Sequence, residues 1–297
     1  MWFKAGASAN IVVFPQRAKA KPFRDLCGLS PSLGRAGSLE VRLATTKREI
    51  RKAQRLRYKV FYQEGAARPD ATTALIRRDV CPFDPICDHL IVIDHAARTS
   101  RLGRLKPKII GTYRLLRQDV AALHGGFYSA REFDIAPLLA RHAGQRFLEL
   151  GRSCVLGPWR GKRTLDLLWR GLWAYVRHHR IDVLIGCASF PGTDPLVHAA
   201  SLGFLAAHAR AEDAWQARPQ AGRGAPVQAL DPVIGDPRKA LAALPPLIKG
   251  YVRAGARFGT AAVVDVQFGT TDVFVVMPVA DIAARYAAHF GAQDCAA

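Results

Sequence analysis

From Leu39 the apolar positions alternate, Leu39, Val41 and Leu43 against Glu40 and Arg42, which predicts a half-buried strand. Thr46 with Glu49 three residues on is a capping box, and Ile50, Ala53, Arg57, Val60 and Phe61 then return at helical spacing. A guanidinium therefore sits on a buried stripe. HLIVID (residues 89–94) and IIGTYRLL (109–116) read as paired strands around a basic, glycine-containing loop. FLELGRSCV (147–155) is a further strand interrupted by Gly151, where a bulge or a close backbone approach is expected. It runs into GPWRGKRT (157–164). Residues 164–180 then carry Leu165, Leu168, Trp169, Leu172, Trp173 and Val176 on one face, an amphipathic helix.

Residues 183–188 (VLIGCA) predict a short buried strand. SFPGTDP (189–195) predicts a loop into a helix that ends at Gly203. Residues 210–240 read as an inserted loop rich in Ala, Gly, Pro and Arg. A helix within 244–255, hairpin strands 262–268 and 272–277 around Gly269 and Thr270, and a last helix at 281–290 close the pattern. The order of elements predicts an α/β (α+β) chain, one mixed sheet with helices on its faces. Residues 1–38 hold six basic side chains against Asp25 and have no sustained period, so they form a basic tail expected to be disordered, and 39–297 a single domain.

Composition narrows the partners more than the fold. The 43 Lys and Arg against 24 Asp and Glu give a net charge of +19, which favours polyanions: nucleic acid, an anionic membrane surface or an acidic carrier protein. No apolar run approaches a membrane span, and a cytoplasmic protein, peripheral on the inner face of the membrane, is expected. The six cysteines form no CxxC pair and read as reduced packing thiols, so no metal is expected.

Glu149 and Arg152 share a strand that the pattern places in the core, and Arg114 projects from an otherwise apolar or neutral strand face. Burying a charge unpaired costs several kcal/mol. Arg57, Arg114 and Arg152 thus need acids, for which Asp79, Asp84, Asp88 and Glu149 are available, and a polar cleft follows. The glycine turn before the long helix offers backbone N–H groups beside Arg160, Lys162 and Arg163, an anion site with Gly161 permitting close approach.

Arg57 with Phe61, the Phe83-Asp84 pair, GTYRLL around Arg114 and FLELGRSCV around Glu149 and Arg152 resemble the acyl-homoserine-lactone synthases. CDHLIVID, LELGRSCV, LIGCASFPGTDP, LPPLIKGYVRAGA and FGTTDVFVV are more closely similar to the ornithine N-acyltransferases of ornithine-lipid synthesis. The resemblance spans about residues 39–290. It implies a Gcn5-related N-acetyltransferase (GNAT) fold, a mostly antiparallel central sheet flanked by helices, with a C-terminal extension. It also implies transfer of a 3-hydroxyacyl chain from acyl carrier protein to the α-amine of L-ornithine, with no permanently bound cofactor and the phosphopantetheine thioester as co-substrate.

In that reading Glu149 is the base, Arg152 and Arg114 bind the acceptor carboxylate or orient Glu149, and Asp84 and Asp88, with Arg57 and Phe61, form the amine site. Gly151 marks the oxyanion contact, and Gly161, Lys162 and Arg163 take the pantetheine phosphate, although Pro158 and Arg163 depart from the acyl-cofactor loop of the superfold. Cys81 stands where an acid is expected. A lactone-forming synthase with another amine acceptor would share the acyl donor and the Glu149, Arg152 and Arg114 pattern, and the C-terminal extension from residue 205 leans toward the ornithine group. A nucleic-acid-binding protein satisfies the charge but finds no reader motif in the chain.

Overall fold

The computed structural model describes Leu26 and residues 28–97, 106–225 and 236–282. Most of the basic tail, the middle of the 210–240 loop and the helix expected at 281–290 lie outside the described residues. Strand β1 (Gly34–Ala36) and β2 (Leu39–Leu43) form a hairpin leading to α1 (Lys47–Tyr58). Thr46 caps α1 by accepting from Glu49 N, and Glu49 returns its carboxylate to Thr45 N and Arg42. The helix passes into a wider π turn over Lys59–Gln63, followed by α2 (Ala71–Ile76). Then come β3 (Asp88–Asp94), β4 (Lys108–Arg117), α3 (Gln118–Ala122), β5 (Phe133–Asp134), α4 (Ala136–Arg141) and β6 (Phe147–Val155). Helix α5 (Lys162–His178), β7 (Val183–Pro191), α6 (Ala199–His208), and the short β8 (Arg218–Pro219) and β9 (Gly224–Ala225) follow. Helices α7 (Pro237–Ala243) and α8 (Pro246–Ala254) precede the closing hairpin of β10 (Arg257–Asp265) and β11 (Thr270–Pro278).

Nine strands form one sheet in the order β1-β2-β3-β4-β6-β7-β11-β10-β9, and β5 pairs with β8. Every neighbouring pair is antiparallel except β6 and β7. Alternation along the strands places His89, Arg114 and Glu149 on one face, and Leu90, Tyr113, Leu115 and Leu150 on the other. Helix α5 covers the second face, burying Leu168, Leu172, Tyr175 and Val176, each worth roughly 1.5–3 kcal/mol of apolar burial. It approaches so closely that a Cβ on Gly171 would lie 2.6 Å from Val41.

Two irregularities make room within the sheet. The parallel ladder of β6 and β7 runs only from Phe147↔Val183 to Leu150↔Gly186, and beyond it the strands part. At that last pair a Cβ on Gly186 would stand 2.5 Å from the Leu150 carbonyl oxygen. The second is a bulge: Thr112 pairs with Cys154 and Arg114 with Gly151, so Arg152 and Ser153 together oppose Tyr113.

Three sequence expectations shift. Residues 34–36, expected within a disordered tail, form β1 paired with β2, which extends the sheet's edge. The strand break lies at Arg152, with φ +53°, rather than at Gly151, and the half-buried arginine is held there by Asp79 and Tyr128. Gly203 lies inside α6, which continues to His208, since a small residue is buried there against the sheet.

Candidate active site

The buried stripe of α1 delivers Arg57 completely out of solvent. Its Nε donates to Asp79 Oδ2 at 2.7 Å and its Nη2 to Asp84 Oδ2 at 2.7 Å. Asp84 also accepts from Gln54 Nε2 and from Cys81 N, and lies 3.5 Å from Arg114 Nη1. Arg152 Nε stands 3.4 Å from Asp79, and the guanidinium stacks over Phe268 and Tyr128 at 4.2 and 4.8 Å. Burial alone would raise the Asp84 carboxyl, but Arg57, His89 and Arg114 outweigh it and hold the group well below the usual carboxylate range. Burial keeps the His89 imidazole neutral, lowering it to about 4.

Three guanidinium charges here face two aspartates, an excess of one positive charge. Arg114 Nη1 and Arg152 Nε make no hydrogen bond among the described residues. Cys81 is buried beside them, where an acid was expected.

A cavity of about 340 Å³ opens where β6 and β7 part. Because the strands separate, it reaches both faces of the sheet. Arg114, Arg152 and Glu149 line its polar side, and Tyr113, Leu150, Leu247 and Tyr251 its apolar side toward α5 and α8. The hydroxyls of Tyr113 and Tyr251 are hydrogen-bonded to each other. Val60 and Phe61, brought in by the π turn, and Phe268 close the rim. Glu149 is 4% exposed, and its carboxylate accepts from Tyr128 N at 2.8 Å, from Ser129 N at 2.6 Å and from the Ser129 hydroxyl. Those bonds fix the turn at residues 128–131 against β6.

That turn leads to a group the sequence reading missed. Glu132, Asp265 from the end of β10 and Asp272 from β11 present carboxylate oxygens all within 4.8 Å of one another, and all three line the cavity. At an effective dielectric near 20, like charges so close repel by roughly 3–4 kcal/mol per pair. Burial and then Asp272 push Glu132 up to about 8, and burial pushes Asp272 up to about 6. Cys187, between them on β7, is held as a thiol by burial and by Glu132. Spacing gave no signal for this cluster, since its members come from three elements far apart in the chain.

The remaining predicted residues divide by position. Arg57 and Asp84 do not line the cavity; they are hydrogen-bonded to each other, with Arg57 Nη1 and Asp84 Oδ1 left without a hydrogen bond among the described residues. Asp88 is on the opposite face of the sheet, where it accepts from Tyr175 of α5 at 2.7 Å, because neighbouring strand residues point opposite ways. The amine site expected at Asp84 and Asp88 is therefore not formed there. Gly151 lines the cavity, its side open toward the Arg114 guanidinium. Gly161 is the N-cap of α5, and Lys162 and Arg163 are exposed in its first turn. Arg160 ties this turn to the rim, donating to Glu64 at 2.5 Å and to the Val155 carbonyl.

Residues 56–170 match the acetyltransferase (GNAT) domain family. The chain is 49% identical to an L-ornithine N(alpha)-acyltransferase of Agrobacterium fabrum over 96% of its own length and 94% of that protein. It is 50% identical to one of Rhizobium meliloti, covering 94% of this chain and 90% of the relative. Among solved structures, FeeM, an N-acyl amino acid synthase from uncultured soil microbes, superposes with a TM-score of 0.47 at 11% identity, covering 82% of this chain and 93% of that one. With half of its residues shared along nearly the whole chain, this N-acyltransferase belongs to the L-ornithine N(alpha)-acyltransferase family.

Proposed function

We propose that the chain moves a 3-hydroxyacyl group from the phosphopantetheine thioester of an acyl carrier protein to the α-amine of ornithine, giving a lyso-ornithine lipid. One observation carries this reading: a single cavity crosses the sheet, with unsatisfied guanidinium donors on one face and an apolar wall on the other. An amino acid carboxylate answers the excess charge of Arg114 and Arg152, and an acyl chain fills the side of Tyr113, Leu150, Leu247 and Tyr251.

The thioester lies at the opening between β6 and β7. The neutral α-amine attacks the carbonyl carbon, the C–N bond forms and the C–S bond breaks. The proton from nitrogen passes through water to Glu149, whose orientation Tyr128 and Ser129 hold, and sulfur leaves as a thiolate that is protonated from solvent. A bulge leaves one residue of its strand out of the ladder, so a backbone N–H of the Arg152–Ser153 step is the donor assigned to the oxyanion. Arg160, Lys162, Arg163 and Arg170 form the docking patch for the acidic carrier, with Gly161 and the start of α5 beside the pantetheine phosphate. The net charge of +19 suits a product delivered at an anionic inner membrane surface, and no helix among the described residues is long and apolar enough to cross a membrane.

The test is thiol release from purified 3-hydroxyacyl carrier protein, with the product identified by mass. Release that depends on ornithine supports the reading. Release with S-adenosylmethionine and not with ornithine would replace it with the lactone-forming alternative. Glu149→Gln is expected to lower kcat about 10²-fold, and unchanged turnover would remove Glu149 from the proton path.

A further inference from the structure

We propose that Glu132, Asp265 and Asp272 form the seat for the side-chain ammonium of the acceptor, and thereby select a diamino acid and direct acylation to its α-nitrogen. This rests on the reading of the acceptor as an amino acid whose carboxylate meets Arg114 and Arg152.

The observation behind it is an unmet electrostatic demand inside the same cavity. Glu132 is 3% exposed and Asp272 5%, yet Glu132 Oε2 and Asp272 Oδ1 make no hydrogen bond among the described residues. Asp265 is half-buried and uses Oδ1 to accept from Phe268 N. Buried polar atoms in native proteins find partners, and three carboxylates pointing at one another supply none. A primary ammonium brings three N–H donors and one positive charge to three acceptor groups. A planar guanidinium would need paired oxygens in one plane, and a neutral side chain would leave the carboxylates as they are.

Position gives the seat its second role. The ligand's carboxylate goes to the arginine pole and its distal nitrogen to the acidic pole, so the α-nitrogen lies between them, beside the bulge. Acidic neighbours stabilise the protonated form of the distal amine, and an ammonium has no lone pair with which to attack. Near Arg114 and Arg152 the charged form of the α-amine is disfavoured, so that nitrogen is the one available as a nucleophile. The groups facing Glu132 are Asp272, Asp265, Cys187 and Arg152, from β11, β10, β7 and β6. Burial lifts Glu132 and Asp272 into the range of about 8 and about 6, so apparent ornithine affinity is expected to rise between pH 6 and pH 8 as they ionise.

Norvaline, which is ornithine without the terminal amine, isolates the effect. The native enzyme is expected to favour ornithine over norvaline by about 10²-fold or more in kcat/KM. Glu132→Gln and, separately, Asp272→Asn should cut that preference at least about 30-fold, mainly through KM for ornithine. Calorimetric binding of ornithine to the enzyme without acyl donor gives a readout independent of turnover. Native binding that Glu132→Gln loses supports the seat, even if the acyl donor proves to be of another class.

Turnover of ornithine with an undiminished preference in both variants would overturn the seat and leave the proposed function standing. An equal fall of kcat with both acceptors would make Glu132 a proton-transfer group and overturn it as well. So would an ornithine preference that EDTA abolishes and a divalent cation restores. Absence of native ornithine binding in calorimetry would count against the seat itself.

Discussion

The two charged groups on the polar face of the sheet, the arginine–aspartate network and the acidic cluster, are both buried but solve burial differently. Arg57 donates to Asp79 and Asp84 at 2.7 Å, and the network keeps Asp84 ionised. Glu132 and Asp272 have no counter-charge in hydrogen-bonding reach, and burial drives both upward. A paired group offsets much of its own burial cost within the chain. An unpaired one holds the fold below its attainable stability, as recognition sites commonly do.

The comparison breaks most sharply at Arg57. Replacing it with methionine strands Asp79 and Asp84 without their main partner, and a loss of about 3–5 kcal/mol is expected in urea denaturation. A loss below about 1 kcal/mol would mean that the pairing adds nothing. The opposite sign is expected at Glu132. A carboxyl raised above its unfolded value stabilises the fold while protonated and costs stability as pH rises through the folded value. For Glu132 and Asp272 that window runs from about pH 4 to about pH 8. Glu132→Gln should therefore raise Tm by about 3 °C or more at pH 8.5 and change it little at pH 4. A lowered Tm at pH 8.5 would show that the cluster already has partners.

The network gives the acid limb of the same profile. His89, lowered to about 4, resists the proton that the unfolded chain accepts below about pH 6.5, so stability falls from there to about pH 4. Asp84, depressed further, withdraws its contribution only as pH drops below about 3.8. In a Glu132→Gln, Asp272→Asn background, which removes the opposing effect of the acidic cluster, urea midpoints at pH 7, 5 and 3 should decline stepwise, and a flat profile would remove both groups from the account. The smallest effect tests which face Asp88 belongs to. Tyr175→Phe removes its hydrogen bond at a cost of about 1 kcal/mol, with KM for the acceptor unchanged. A raised KM would return Asp88 to the site.

The arginine pole was legible because each member violated a local pattern: Arg57 on an apolar helix stripe, Arg114 on an apolar or neutral strand face, Glu149 and Arg152 inside a core strand. Charges out of place are visible one segment at a time. The acidic pole was not, since Asp265 and Asp272 flank a hairpin turn where aspartate is unremarkable, and Glu132 follows a turn of its own. Only the pairing of β11 with β7, which sets Asp272 opposite Ser189, brings the turn and the hairpin together. Asp88, taken for the amine site from the resemblance alone, begins β3 one residue before His89 and so lies on the other face of the sheet.

Strands β2, β3, β4, β6, β7, β10 and β11 and helices α1, α5, α6 and α8 were legible from periodicity, whereas β1, β5, β8, β9 and α2, α3, α4, α7 are too short to show a period. The placement of the bulge at Arg152 and the passage of α6 through Gly203 were also missed, because tertiary packing overrode the usual punctuation of glycine.

Gly186 has a reach beyond its own size. The aperture between β6 and β7 begins at the pair this residue makes with Leu150, with no room for a side chain against the carbonyl oxygen. One added methyl at this spot would act as a wedge, forcing the Arg152 bank away from the Cys187 bank and detuning donor, acceptor and alkyl compartments together. The geometry of three compartments is thus regulated by a hydrogen atom standing where other residues carry carbon.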